Sequence, residues 1–521
     1  LDVVGGATSP WIDYRSDLWH HQKTPGILTL GATFAFAFGE DTLAAITAYY
    51  DQLVRTSLIA RKTNSAKKNA VLAAAQFCTW GAQVERSFEG KKLNETFLRG
   101  LYAEMKSVGM KARLFSIDDK WEGRYGNLEH DAERFPHFEA FLDSIRAEGN
   151  LVGLWAAFMR CEKPEDLGLT VDHMLMDANG KPHRGGGNQY YLLDFTHPDV
   201  EKVLADRART FVRKYKPAVV KFDFGYELPA VRTAAPYDKK FAGERILRKG
   251  LEIIVGAMRQ EDPDIVVMYY QLSPLFAEFF DFHSTDDLFI NPGDYDWEAN
   301  RRIYFASPLT QLGIAIYGSS GYDWSSSPVI WFDSVAAGTI GSLNDFDGDE
   351  FGEKQTPAAI ARYNGFAQSV RTGNRFEVVP YPPTRSEAAV RGGHTKSWAR
   401  IENGAVTILA QRPPSFDDGD MLDWRRTDPR VDGLLTTTVP VVVASKTEQS
   451  VTDTTHLVIV PCADGMMKLR RSKSGPHKVT THFFGGATKR EVIALHDGHL
   501  ILPLRTNRDK GEPIEWIEVE A

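Results

Sequence analysis

Cysteine is scarce in this chain. Cys78, Cys161 and Cys462 are the 3 cysteines in 521 residues, too few and too widely spaced for a disulfide framework or a CxxC metal site. No apolar run reaches the roughly 18 residues that a membrane-spanning helix needs. A basic excess is missing too. Lys+Arg number 61 against 69 Asp+Glu, and the net charge of −8 with a pI near 6.0 has the wrong sign for a nucleic-acid binder. No GxGxxG follows the first apolar strand, which disfavours a dinucleotide fold. That strand ends Cys78-Thr79-Trp80, without the His-x-His of a metal-dependent barrel hydrolase. Internal repeats and low-complexity segments are absent. The expectation is therefore no cofactor, no metal, no nucleic acid and no membrane, and the sequence carries no signal for an oligomeric state. The chain opens on Leu1 rather than methionine, so an upstream segment is expected to have been removed, which leaves a secreted or periplasmic location open.

What is present is a long chain, 43% hydrophobic, able to bury a large core in two or three domains. Residues 1–68 read as an N-terminal segment: a weakly alternating β remnant over Leu30–Gly39, an amphipathic helix over Glu40–Ala60 and a basic linker over Lys62–Lys68. From Asn69 short apolar runs alternate with helical segments. The strands are expected at Val71–Trp80, Ala112–Ile117, Leu151–Ala157, Ala218–Phe222, Ile265–Tyr269, Phe279–His283, Gly313–Tyr317 and Val335–Ile340. Helices are expected at Lys92–Val108, His137–Glu148, Pro198–Tyr215 and Glu244–Glu261. Eight strands with crossover helices make residues 69–375 an α/β domain of the (β/α)8 TIM-barrel type. After Arg375 helical periodicity stops, and short Val/Thr/Ile runs between Gly, Asp, Asn and Pro clusters predict an antiparallel β-sandwich over 376–521.

In such a barrel the chemistry sits where strands end. The stretch Ala218-Val219-Val220-Lys221-Phe222-Asp223 is an apolar strand closing on two charges, and alternation puts Lys221 and Asp223 on one face. They read either as a reactive carboxylate with a cation that keeps it ionised or as a structural ion pair. The other strand ends supply Trp80; Asp118, Asp119 and Trp121; Arg160; Gln271 and Ser273; His283, Asp286 and Asp287; and Tyr322, Asp323 and Trp324. Trp155 lies within the third strand. Rings that stack on a pyranose beside acids that take its hydroxyls are the furniture of a sugar pocket. Two carboxylates facing one another are what glycosidic cleavage requires. Asp118 and Asp119 read alternatively as loop acids paired with Arg113 or Arg124. Gly185-Gly186-Gly187 reads as a flexible loop, and Asp345 to Glu350 as an exposed acidic loop rather than a calcium site.

Ser116-Ile117-Asp118-Asp119-Lys120-Trp121, then Gly153-Leu154-Trp155, then Val220-Lys221-Phe222-Asp223, resembles the retaining α-galactosidase clan of glycoside hydrolases. The likeness is to family 36 and its relative family 27, with family 31 more distant. Tyr191-Leu192-Leu193-Asp194-Phe195-Thr196-His197-Pro198 is similar to the clan's segment before the nucleophile strand, and Ser284-Thr285-Asp286-Asp287 to its acid/base segment. The resemblance spans roughly residues 70–375. It implies Asp223 as nucleophile and Asp286 as acid/base with Asp287 close behind. It further implies Asp118, Asp119 and Lys221 at the sugar hydroxyls, and a galacto-configured carbohydrate substrate. Tyr270-Gln271-Leu272-Ser273-Pro274 departs from the family's Cys-Ser-Gly-Gly-Gly-Arg run and removes an expected arginine. Transfer to a second sugar, as in raffinose-synthase-like relatives, and a non-catalytic carbohydrate-binding barrel are the competing readings.

Overall fold

The computed structural model describes residues 2–4, 11–13, 37–40, 42–87, 93–224, 234–241, 243–285, 302–318, 328–343, 345, 357–371, 373, 375–381, 397–413, 428–505 and 513–521. Most of the expected Leu30–Gly39 remnant, and with it Asp286, Asp287, Asp294, Asp296, Tyr322, Asp323, Trp324 and the acids at 347, 349 and 350, lies outside the described residues.

Nine short strands form one parallel sheet: β1 Gln76–Cys78, β2 Leu114–Ile117, β3 Leu151–Ala156, β4 Val219–Phe222, β5 Val266–Tyr269, β6 Phe282–Ser284, β7 Ala315–Tyr317, β8 Gly338–Thr339 and β9 Ser342–Leu343. Their order is β8-β7-β6-β5-β4-β3-β2-β1-β9. The two end strands are separated in the chain only by Ile340 and Gly341, and Gly341 takes a left-handed φ of 83°. The sheet therefore curls until its two end strands are joined by those two residues. Alternation sorts its side chains. Leu114, Val219, Val266, Met268, Phe282 and Tyr317 fill one side, closed from below by Val71, Leu72 and Ala74. Phe115, Ile117, Val220, Phe222, Val267 and Ile316 face the helices on the other. Each such side chain contributes about 1.5–3 kcal/mol on full burial.

The helices in chain order are α1 Thr42–Arg55, α2 Ala66–Leu72, α3 Trp80–Ser87, α4 Glu95–Ser107, α5 Phe138–Ala147, α6 Pro198–Tyr215, α7 Glu244–Glu261, α8 Pro328–Ser334 and α9 Pro357–Ser369. α6 shows why the local sequence suffices. His197 caps it, Pro198 opens it, Asp199 and Glu201 lie in its first turn and Arg213 and Lys214 in its last. Val200, Leu204, Ala208, Phe211 and Tyr215 form its buried stripe.

The expected linker at Lys62–Lys68 is instead docked structure. Ser65 Oγ accepts the Lys68 N–H at the start of α2. Lys62 Nζ and Lys68 Nζ lie 2.5 and 3.2 Å from Oδ1 of Asp281, which is fully buried at the foot of β6, and Arg259 reaches its other oxygen at 3.3 Å. A buried acid with three cations staples the segment to the underside of the sheet.

Beyond Phe376 the regular elements among the described residues are all strands. An eight-stranded antiparallel sheet runs in the order Glu377–Tyr381, Ser397–Glu402, Ala405–Gln411, Val441–Ser445, His456–Pro461, Ile514–Glu520, His477–Phe483, Thr488–Ile493. A three-stranded one is made by Leu435–Thr437, Gly465–Arg470 and His499–Leu504. Leu409, Val443 and Ile459 from the first share an apolar core with Leu469, Leu500 and Leu502 from the second. The opposite face of the large sheet packs on α9, whose Tyr363 hydroxyl accepts the Gln76 N–H at 3.0 Å and donates to the Gln76 carbonyl at 2.7 Å.

Candidate active site

The site begins at the C-terminal end of β4. Lys221 shares its face of the strand with Val219, and alternation carries Asp223 to that same side. Lys221 Nζ donates to Asp118 Oδ2 at 2.7 Å, and both residues are buried. The Cys78 thiol donates to the same oxygen at 3.2 Å, and Asp118 Oδ1 accepts the Asp119 N–H at 2.9 Å. Thr79 Oγ1 accepts the Asp118 N–H at 2.9 Å. The ends of β1, β2 and β4 thus meet on one carboxylate. Arg113 and Arg124, weighed as its partners, take no part in these contacts.

Asp223 is held differently. Trp155 Nε1 donates to its Oδ2 at 2.9 Å, and the Phe224 N–H to its Oδ1 at 2.7 Å. The second bond needs an unusual backbone, because Phe224 sits at φ 57°, a left-handed conformation costly for a residue with a Cβ. Arg160 stacks its guanidinium on the Phe224 ring at 3.2 Å, with Tyr190 at 4.3 Å and Tyr125 at 5.0 Å. Asp119 accepts from the Tyr125 hydroxyl at 2.7 Å and pairs with Lys120 Nζ at 3.0 Å.

Burial pushes the Asp223 carboxyl above its ordinary range, with nearby Asp118 adding to the shift, while Lys221 and the Trp155 N–H pull the other way. For Lys221 burial opposes the charge, but the attraction of Asp118 prevails and raises its pKa well above normal. The Cys78 thiol is pushed up by burial and by Asp118, so it stays protonated and acts as a donor.

Several sequence expectations are corrected by position. Trp121 is fully buried in the helical layer, stacked on Phe138 at 5.7 Å and edge-on to Tyr215 at 5.4 Å, with its indole N–H given to the Trp155 carbonyl. The cause is Lys120, whose φ of 73° turns the chain back after Asp119. His283 is paired in register with Tyr269 and Ile316, which place it on the helix-facing side of β6. Its Nδ1 lies 3.1 Å from the Gln271 carbonyl, and burial drives its pKa down to about 4, so it is neutral packing rather than a sugar contact. Trp155 is 1% exposed and meets Asp223 through its N–H, not through an open ring face. Trp80, half-buried, opens α3 and gives its backbone N–H to Cys78. Asp345 is buried against Arg86 rather than exposed.

Arg160 belongs to an insert between β3 and α6 that the sequence did not suggest, a three-stranded sheet of Arg160–Cys161, Tyr190–Leu192 and Arg184–Gly185. Gly185 and Gly186 pack on the Tyr190 ring, where a Cβ would overlap it, so this is a built turn rather than a flexible loop. Asp194 Oδ1 accepts the Thr196 N–H and hydroxyl, and its Oδ2 takes the Tyr237 N–H at 2.6 Å. The motif resembling the clan's segment therefore anchors the chain returning from β4. Gly153 is needed because a Cβ there would overlap Ser116 Oγ, which itself accepts from Gln76 Nε2 at 2.8 Å. Cys78, Tyr125 and Phe224 were missed. Only Cys78, which ends the first strand as Phe222 beside Lys221 ends the fourth, carried a signal.

No protein-family model matches the chain, and no match is found among curated proteins. Solved structures do match. A family 36 α-galactosidase, AgaA from Geobacillus stearothermophilus, aligns over 92% of this chain and 59% of its own, at 12% identity and a TM-score of 0.49. TtGalA, an α-galactosidase from Thermus thermophilus crystallised with p-nitrophenyl α-D-galactopyranoside, aligns over 69% and 68%, at 17% identity and 0.46. A family 31 sulfoquinovosidase from E. rectale aligns over 63% and 46%, at 12% identity and 0.44. The chain resembles glycoside hydrolases of the family 36 and 31 clan. It spans only about half the length of the Geobacillus and E. rectale enzymes.

Proposed function

We propose that the chain is a retaining exo-α-glycosidase acting on non-reducing α-linked, galacto-configured sugars. Its scaffold would be a closed (β/α)8 barrel over 69–375, followed by a β-sandwich over 376–521. The observation that carries the reading is Asp223: a half-buried carboxylate at a strand end, each oxygen held by one N–H, next to an acid–base pair able to hold sugar hydroxyls.

In the first step an Asp223 oxygen attacks the anomeric carbon. The glycosidic bond breaks, and the leaving oxygen takes a proton from the general acid, leaving a glycosyl-aspartate ester. In the second, water attacks the same carbon, gives its proton to the now basic residue and releases Asp223 as carboxylate. The Trp155 and Phe224 N–H groups fix the carboxylate's plane, so the attacking lone pair needs no reorientation. Asp118 and Asp119 would accept sugar hydroxyls, with Lys221 donating beside them. Asp286 as acid/base, with Asp287 as alternative, rests on the resemblance alone.

The test is Asp223→Ala against a panel of p-nitrophenyl α-glycosides. Wild type should cleave one panel member, and the variant should lose several orders of magnitude in kcat, with rescue by azide in the emptied space. Near-wild-type turnover in Asp223→Ala overturns the assignment. A wild type that releases nitrophenol only when an acceptor sugar is present would favour the transglycosidase.

A further inference from the structure

Three side chains meet on the rim of the barrel and take no part in the chemistry above. His173 ends the turn Val171–His173, His197 caps α6, and Asp199 lies in the first turn of α6. Because α6 runs from the strand ends back to the foot of β4, its N-terminus lies on the same face as Asp223. Asp199 Oδ2 is 3.3 Å from His173 Nε2 and 3.9 Å from His197 Nδ1, and one donor atom from each of the three lies within 4.8 Å of the others. With metal–nitrogen and metal–oxygen bonds of about 2.0–2.2 Å, tetrahedral ligands stand about 3.3–3.5 Å apart. The 3.3 Å spacing fits that edge, and the 3.9 Å spacing exceeds it by about half an ångström. The rings cross at 69° with centroids 4.5 Å apart and are largely covered, at 21% and 15% exposure, whereas the carboxylate is open at 65%. That leaves three protein ligands with a fourth position facing water.

The protons can be arranged to suit. His173 Nδ1 accepts the Thr170 N–H at 3.0 Å and lies 2.9 Å from Thr170 Oγ1. Moving the ring proton to Nδ1 gives it to that hydroxyl and frees Nε2, the donor-to-oxygen arrangement usual for ligating histidines. The Thr170 N–H then loses its acceptor, and the exposed turn must shift to hand it to water. His197 Nδ1 is unprotonated but spends its one lone pair on the Asp199 N–H at 3.2 Å, a capping bond that the cation would displace, leaving that N–H to water. The positive end of the α6 dipole opposes a cation here, and the Asp199 charge offsets it.

We infer that His173, His197 and Asp199 bind one divalent cation of the zinc class. It would tie the insert to α6 and, through the Tyr237 ring 4.4 Å from His197, to the chain returning from β4. The site is independent of the glycosidase reading.

The experiment uses the untagged full chain, stripped with a chelator and titrated with Co(II), followed by competition with Zn(II). One equivalent should give the visible absorption of tetrahedral cobalt, and Zn(II) should raise Tm. His197→Asn keeps a capping side chain and His173→Gln keeps polarity at a partly exposed turn, so both should fold. Each should raise the Co(II) Kd by at least about tenfold and abolish the Zn(II) shift in Tm. No stoichiometric cobalt spectrum in wild type, or unchanged affinity in both variants, overturns the site.

Discussion

Replacing Lys221 with methionine probes the centre of the site while leaving Asp223 in place. The perturbation is nearly isosteric, so the effect reports charge. Lys221 and Asp118 are 2.7 Å apart with side-chain exposures of 7% and 4%. At an effective dielectric constant of about 20, unit charges at that distance attract by about 6 kcal/mol. Desolvation cancels much of this in the intact pair, but removing one partner leaves the other buried and uncompensated, a loss of about 3–5 kcal/mol. Asp118 would keep only neutral donors, the Cys78 thiol and the Asp119 N–H. Urea unfolding of wild type, Lys221→Met, Asp118→Asn and the double variant gives a closed cycle. The expected coupling is at least about 2 kcal/mol, with the double variant more stable than the sum of the single losses implies. A domain stable by about 5–15 kcal/mol survives each change, so the measurement is feasible. If Lys221→Met unfolds within about 1 kcal/mol of wild type, the pair is effectively solvated and the desolvation argument fails.

The backbone at Phe224 offers a second test: Phe224→Gly should be about 1 kcal/mol more stable than Phe224→Ala, because both lose the ring but only glycine relieves the positive φ. A reversed order in urea unfolding would remove the strain from the account. Asp281 should dominate the acid limb of stability. Its pKa is depressed by its three cations against the opposing effect of burial, so its contribution is present above the unfolded value of 3.8 and lost as pH falls below it. Asp281→Asn should cost about 3–5 kcal/mol at pH 7 and flatten the fall in Tm below pH 4. For Asp223 the sign reverses. Its raised pKa means that ionisation costs stability as pH rises, so Asp223→Asn should melt no lower than wild type at pH 7 while losing activity, and the acid limb of wild-type kcat/KM should sit above the ordinary aspartate range.

What the sequence made legible follows from where the determinants are local. α6 and α7 lie within the expected bounds because their caps, terminal charges and apolar stripes sit within one or two turns. Most strands were drawn too long, since pairing ends where the neighbour ends; β6 lies further along than expected, at Phe282–Ser284 rather than Phe279–His283, and β9, Ser342–Leu343, was not expected. Val71 and Leu72, read as strand, belong to α2, whose start is set by the Ser65 cap. The site shows the same division. Lys221 and Asp118 lie at the ends of β4 and β2, so the order of the parallel sheet brings them together. Trp121 is three residues past Asp118, and a single left-handed residue, Lys120, sends it to the other layer. His283 was lost by parity: one position along β6 changes which face a side chain takes. Arg160 reaches Phe224 only because an insert folds back over the strand ends, a contact between segments 64 residues apart in the numbering that no local pattern encodes.

The two buried acid–cation clusters divide the molecule by end. Asp281 sits at the foot of β6 with Lys62, Lys68 and Arg259, three cations for one carboxylate, and burial lowers the Lys62 pKa to about 8. At the other end, Lys221 has one carboxylate at hydrogen-bond distance and a second, Asp223, close enough to be felt but left to the Trp155 and Phe224 N–H groups. An acid saturated by cations is a good staple and a poor nucleophile, because its lone pairs are already engaged. An acid held by two neutral N–H donors, with its pKa raised by burial, keeps both its orientation and its basicity. The foot of the sheet therefore stores stability, while the strand ends surrender some of it at Asp223, the division that the proposed function needs at the C-terminal face of a curled parallel sheet.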